Sequence, residues 1–231
     1  MESFESLGAN YATAVRLIDE AHAGDPNTIP GADGGEAVPY ELHYARKMTR
    51  WLAARKPDAS PALQLACRAQ HFRRFVSPSS TLYGDDRHPV VNDKCASWEL
   101  PRSSYPMTRA GYLTWRAKQK SVAATQVAEL LGSASIAPAL GLGEIERVAA
   151  LVRKENLQGD EETQALEDVA CLVFLDDQFD DFERKSEMDE AKMVGILQKT
   201  WAKMSEEGRK LALGMQLSER ATALIQKALA G

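Results

Sequence analysis

Apolar residues recur at helical spacing almost throughout this chain, and the strict alternation of a half-buried strand is nearly absent. That pattern commits the chain to packed helices. In residues 9–22, Val15, Leu17 and Ile18 supply apolar positions. A second helix is expected from Pro39 to about Ala54, with Leu42, Ala45, Met48 and Leu52 on one stripe. Ser60 followed by Pro61 reads as an N-cap with proline in the first turn, opening a third helix to about Val76. Thr108 caps a fourth to about Leu131, and residues 142–156 make a fifth. Asp160, with Glu161 and Glu162 behind it, starts a sixth that carries Leu166, Val169, Leu172, Val173 and Phe179. Residues 189–204 and 206–214 add two more, and Ser218 caps the last. The expectation is a single compact all-α domain over residues 1–231, with about nine helices.

Two stretches break the pattern. Residues 24–39 hold Asp25-Pro26-Asn27, Pro30-Gly31 and Gly34-Gly35 and read as loop. Residues 77–107 lack any sustained period and contain Pro78, Gly84, Pro89, Pro101 and Pro106. Structureless stretches beyond roughly 12–15 residues are uncommon in compact domains. This one reads first as a loop insertion, with a lid or a binding loop as alternatives.

Several function classes are excluded early. The apolar run Val169–Leu175 falls far short of the roughly 20 residues that span a membrane, so no membrane partner is expected. The first residues, Met1-Glu2-Ser3-Phe4-Glu5, are acidic and are not expected to form a secretory signal. Cys67, Cys95 and Cys171 are widely spaced and match neither a disulfide framework nor a zinc set, so a reduced, cytoplasmic location is expected. There is no Gly-x-Ser-x-Gly, Gly-x-Gly-x-x-Gly or Gly-Lys-Ser/Thr pattern for a nucleophile elbow or a phosphate loop.

The formal net charge of −5 conceals segregation. Residues 1–40 carry seven acids and one base, residues 66–120 ten bases and four acids, and residues 144–190 sixteen acids and five bases. Arginine suits bidentate recognition of phosphate or carboxylate. Convergence of Arg73, Arg74, Arg102 and Arg109 would create an anion site; the alternative, placed first, is pairing between the basic block and the acidic half. The run Asp176-Asp177, Asp180-Asp181, Glu183 lacks the spacing of a calcium loop and reads as a solvated helix end.

Metal or acid–base chemistry would draw on His43, His71, Glu167 and Asp168. Asp168 shares a stripe with Leu172, Leu175 and Phe179, which turns its carboxylate inward, where it needs a partner. His71, on the third helix, and Asp168 suit a divalent metal or a structural hydrogen bond equally well. Lys203-Met204-Ser205 matches part of the synthetase signature Lys-Met-Ser-Lys-Ser, but no His-Ile-Gly-His partner accompanies it. Ser205 before two glutamates reads as an N-cap.

Three stretches together carry a family resemblance. They are Leu65-Ala66-Cys67-Arg68-Ala69-Gln70-His71-Phe72-Arg73-Arg74-Phe75, the run from Pro101-Arg102-Ser103-Ser104-Tyr105-Pro106 to Gly111-Tyr112-Leu113-Thr114-Trp115-Arg116, and Leu166-Glu167-Asp168-Val169-Ala170-Cys171-Leu172. With Lys199–Ser205 they resemble the domain of unknown function 4202 family over about residues 10–225. Residues 77–100 look like extra length relative to its shorter members. Some relatives carry a glutamyl-tRNA synthetase label, which the motifs here do not support.

The family's layout is in turn similar to the HD-domain superfamily of helical metal-dependent phosphohydrolases. That resemblance implies an HD-like fold, a divalent metal held by His43, His71 and Asp168, and His71, Asp168 and Glu167 as catalytic groups. It also implies a phosphorylated small molecule or nucleotide bound by Gln70, Arg73, Arg74, Arg109, Tyr112 and Arg116. Phe72 departs from the pattern, standing where the His–Asp pair would have its Asp, and the register of the last Asp falls nearer Ala170. The alternative is a non-catalytic domain with degraded ligands that binds RNA or a protein partner.

Overall fold

A computed structural model of the chain describes residues 8–31, 35–72, 102–179 and 190–230. Among the described residues are nine α-helices and one two-stranded ladder, so the fold is all-α. The helices are α1 (Ala9–Ala23), α2 (Tyr40–Arg55), α3 (Pro61–Arg68), α4 (Arg109–Leu131), α5 (Leu142–Arg153), α6 (Glu161–Val173), α7 (Glu190–Lys203), α8 (Glu206–Leu213) and α9 (Glu219–Ala230). Strands β1 (Thr28–Ile29) and β2 (Val38–Pro39) pair antiparallel inside the stretch expected to be loop.

The helices begin where short polar side chains can satisfy the first free amides. Ser60 Oγ accepts from Leu63 N at 3.2 Å and Thr108 Oγ1 from Gly111 N at 3.1 Å. Asp160 Oδ1 accepts from Glu162 N and Thr163 N, and Ser218 Oγ from Ala221 N. Gly111 is fixed by space. A Cβ there would stand 2.1 Å from the Pro106 carbonyl oxygen.

The described residues group into two compact units, one drawn from residues 8–46 and 60–155, the other from 47–59 and 156–230. The boundary falls within α2, between Arg46 and Lys47, so no linker composition marks it. In the first unit α4 packs on α5, α5 on α3, and α3 on α1. Its buried positions include Ile18, Leu63, Leu65, Val127, Leu131, Val148 and Leu151. Arg68, almost wholly buried at the end of α3, makes a bidentate pair with Asp19 of α1 (Nε–Oδ1 2.6 Å, Nη2–Oδ2 2.8 Å).

In the second unit, Leu172, Phe174, Phe179, Met193, Leu197, Leu224 and Ile225 form one apolar cluster, with Trp51 packed against it. The sixth helix does not run on as α-helix past Val173. Phe174–Gln178 form a π turn, which brings Phe174 and Phe179, five residues apart, into an edge-to-face contact at 5.9 Å. An α-helix would put those rings on different faces. Asp168, Leu172, Leu175 and Phe179 are all buried, as their spacing predicts.

The third helix is shorter than its sequence suggests. It ends at Arg68 rather than near Val76, because His71 adopts a left-handed conformation (φ 59°) that stops further helical turns. His71 is therefore in a turn after α3, not on it. The remaining expected residues, 73–76, lie outside those described, as does most of the 77–107 loop; its described end holds a 3-10 turn at Arg102–Ser104.

His22, at the end of α1, is completely buried against the edge of Phe72. Its Nε2 donates to the Arg68 carbonyl at 3.0 Å, while Nδ1 meets no hydrogen-bond partner among the described residues. Burial pushes the imidazole below its usual 6.5, against the smaller opposing pulls of the Arg68 carbonyl and Asp19. The folded protein thus keeps the ring neutral where the unfolded chain would take up a proton. This contribution to stability is intact above about pH 6.5 and is lost as the pH falls below it, by at most about 1.4 kcal/mol per pH unit. Urea unfolding at pH 7.5 and 5.5 is expected to show a loss on acidification that His22→Gln reduces; an identical pH slope in the variant would refute it.

Candidate functional site

Asp168 comes first, because its side chain has no exposure at all. Its Oδ2 accepts from Arg55 Nε at 2.7 Å and from Ser205 Oγ at 2.6 Å. Its Oδ1 accepts from Ser205 N at 2.8 Å and Gln164 Nε2 at 3.0 Å. Ser205 in turn caps α8, its Oγ accepting from Gly208 N and from Arg55 Nη2, both at 3.2 Å. Gly208 lies so close that a Cβ would stand 2.7 Å from the Asp168 carboxyl carbon. Of the two roles open to this carboxylate, the geometry serves the structural one. The stretch that resembles part of a synthetase signature supplies its partner and the α8 cap.

A divalent metal does not fit Asp168 in this state. Both oxygens are saturated, one by a guanidinium that a cation would have to displace. Among the described residues, no group of three His, Cys, Asp or Glu is arranged to hold a metal. Glu167, also buried, is 3.7 Å from Lys203 Nζ, and His43 is half-buried on α2.

The acidic run is not simply a solvated helix end. Asp176 Oδ2 accepts from Lys47 Nζ at 2.9 Å, Trp51 Nε1 at 3.0 Å and Arg50 Nη2 at 3.1 Å. Asp177 stands 3.5 Å from Lys47. Burial alone would raise the Asp176 carboxyl; the bonds from Lys47 and Trp51, with the charge of Arg50, outweigh it and hold the group below the usual range. Asp180, Asp181 and Glu183 lie outside the described residues.

His71 belongs to the first unit, and its surroundings were only partly legible. The ring stacks on Tyr44 with centroids 4.2 Å apart and planes within 13°. Its Nδ1 is 3.5 Å from Oε2 of Glu41, a carboxylate that is 3% exposed. Glu41 is itself positioned: its backbone N donates to Asp25 Oδ2, and Asp25 Oδ1 accepts from Asn27 N and Nδ2. A non-glycine residue in the left-handed region costs roughly 1–2 kcal/mol, and such strain concentrates at functional sites. A carboxylate behind one nitrogen of a partly exposed imidazole is an arrangement that can hold or move a proton. Sequence reasoning missed Glu41, yet the signal was there: it shares the buried stripe of α2 with Ala45, Met48 and Leu52.

The cations expected to bind anions lie mainly on α4. From Arg102 to Ala128 the sequence has five bases and no acid. Arg109, Arg116 and Lys118 are exposed and form no ion pair with any described residue. Arg102 folds back instead, donating to the carbonyls of Tyr105 and Pro106 with its guanidinium 6.0 Å from the centre of the half-buried Tyr112 ring. The acids of the second half find other partners: Lys47, Arg50, Arg55 and Lys203. Gln70 Nε2 donates to the Ala66 carbonyl, and Arg73 and Arg74 lie outside the described residues.

The family model described as a domain of unknown function (DUF4202) matches residues 12–89 and 91–225. The chain belongs to that family. No curated protein and no solved structure matches it. Within this DUF4202 domain, Arg55 is largely buried, at 13% exposure, so Asp168→Ala would strand a guanidinium. It is expected to cost about 3–5 kcal/mol. Glu167→Gln, which releases only a Lys203 that is 59% exposed, is expected to cost under about 1 kcal/mol. Paired urea denaturation curves test this contrast, and comparable losses from the two substitutions would contradict it.

Proposed function

We propose that this DUF4202 protein binds a phosphorylated ligand, a small molecule or nucleotide or a longer phosphate-bearing chain, on the basic face of α4. The observation that carries the reading is the uncompensated charge of that helix: exposed Arg109, Arg116 and Lys118 with no ion-pair partner among the described residues. Arg116 and Lys120 stand one turn apart, a like-charge spacing that weakens a helix by a few tenths of a kcal/mol. Folding alone gains nothing from such an arrangement, whereas a phosphate that accepts from guanidinium groups would reward it.

A second reading, hydrolysis of the bound phosphoester within an HD-like fold, draws support from the Glu41–His71–Tyr44 arrangement. In it, Glu41 keeps the imidazole in one orientation and His71 passes the proton. No step is assigned to Asp168, whose bonds are all taken up within the fold, or to a metal.

The binding reading is tested by fluorescence anisotropy with a labelled adenosine nucleotide. Arg109→Ala combined with Arg116→Ala is expected to weaken binding at least tenfold, while Lys210→Ala and Arg220→Ala on the other unit leave it within twofold. Equal losses from both pairs would overturn it. If a phosphatase screen finds turnover, the hydrolytic reading expects His71→Ala to lower kcat at least a hundredfold with KM within threefold. Unchanged kcat would end it.

A further inference from the structure

We infer that the ligand of the α4 face is a single-stranded polynucleotide; this rests on reading that face as phosphate-binding and names the class of phosphate. The argument begins with helix geometry. Arg109, Tyr112, Leu113, Arg116 and Lys120 fall within about 100° of the helix circumference. The same side of α4 is buried in its second half, at Ala123, Ala124, Val127 and Leu131, where the helix packs on α5. One continuous face is therefore core at one end and a bare cationic surface at the other. Because the core half is fixed, the cations project from a rigid support.

The length of this surface separates small ligands from long ones. Arg109 to Lys120 spans about 16 Å along the axis. The phosphates of one mononucleotide are clustered at one point of the molecule and engage one or two of those cations. A strand with phosphates repeating along its length engages all of them.

What stands between the cations selects the kind of strand. Tyr112 is half-buried with Arg102 beside its ring, Trp115 lies tilted against it at 5.8 Å, and Leu113 is 57% exposed. Aromatic and apolar surface interleaved with positive charge is what unpaired bases stack on, and every base has a π-face to offer. A duplex hides those faces within its own stack. An anionic membrane is less well matched, since membrane-surface helices set a broad apolar face beside their cations and this stripe carries a single exposed leucine.

The test uses the full chain and a fluorescein-labelled decamer of oligouridylate, followed by anisotropy. Three phosphate contacts on a single strand predict an affinity loss of about 20-fold between 50 and 200 mM salt. Arg109→Ala with Arg116→Ala is expected to lower the salt slope by about 1.4 and to weaken binding at least tenfold, with an unchanged far-ultraviolet spectrum. Tyr112→Leu, which keeps the charge, is expected to weaken it several-fold without changing the slope. If UMP or ATP displaces the decamer as well as unlabelled oligouridylate does at equal phosphate concentration, the polynucleotide inference fails and the phosphorylated-ligand reading stands. Tighter binding to a duplex of equal length, or to phosphatidylserine vesicles, likewise overturns the inference. If neither nucleotide nor strand responds to the α4 substitutions, both readings fall.

Discussion

One buried carboxylate ties together four separate pieces of the second unit. Asp168 receives the end of α2 through Arg55, its own helix through Gln164, and the start of α8 through both the amide and the hydroxyl of Ser205. Taking a carboxylate and a guanidinium out of water is costly, and such a pair holds only if the remaining lone pairs and protons are also satisfied. Here every lone-pair direction is used, and the serine hydroxyl donates once and accepts twice. The N-terminal end of α8 adds its positive dipole on the same side. Gly208 is what allows that helix to approach so closely. The α6 stripe that buries Leu172, Leu175 and Phe179 also fixes the inward direction of the carboxylate, so the apolar cluster and the polar node share one cause.

The Glu41–His71 arrangement in the first unit is of a different kind. Asp168 is surrounded by donors on both oxygens, whereas the imidazole of His71 keeps an edge toward the surface, with side-chain exposure of 24%. Its backbone is held in a costly conformation, and its ring lies flat on Tyr44. Stability alone gives little reason to place a histidine rather than a glycine or asparagine at a left-handed helix end. The contrast distinguishes a carboxylate used to hold the fold from one used to position another group.

The start of each helix was readable because a cap is a local device: Ser60, Thr108, Asp160, Ser205 and Ser218 each act on amides two or three residues on. The inward turn of Asp168 was readable from periodicity, and the same logic applied to α2 would have exposed Glu41. The end of α3 was not readable, because nothing in Ala69-Gln70-His71-Phe72 forbids further helix and the stop depends on His71 meeting Tyr44 from another element. Charge blocks showed where like charges collect but not which residues pair. Arg68 answers Asp19 of the acidic first stretch, and Lys47 with Arg50 answers Asp176, while α4 keeps its charge exposed.

The π turn at Phe174–Gln178 sets a limit on how this chain can vary in length. It accommodates one more residue per turn than the α-helix before it, and on that extra residue depend both the Phe174–Phe179 contact and the direction in which Asp176 meets Lys47. Removing any single residue there would restore α register and rotate all that follows by about 100°, taking the acidic side chains away from α2. Substitution by residues of similar shape leaves that phase intact. Insertions and deletions in this segment are therefore disfavoured in a way that its polar, loop-like composition would never suggest.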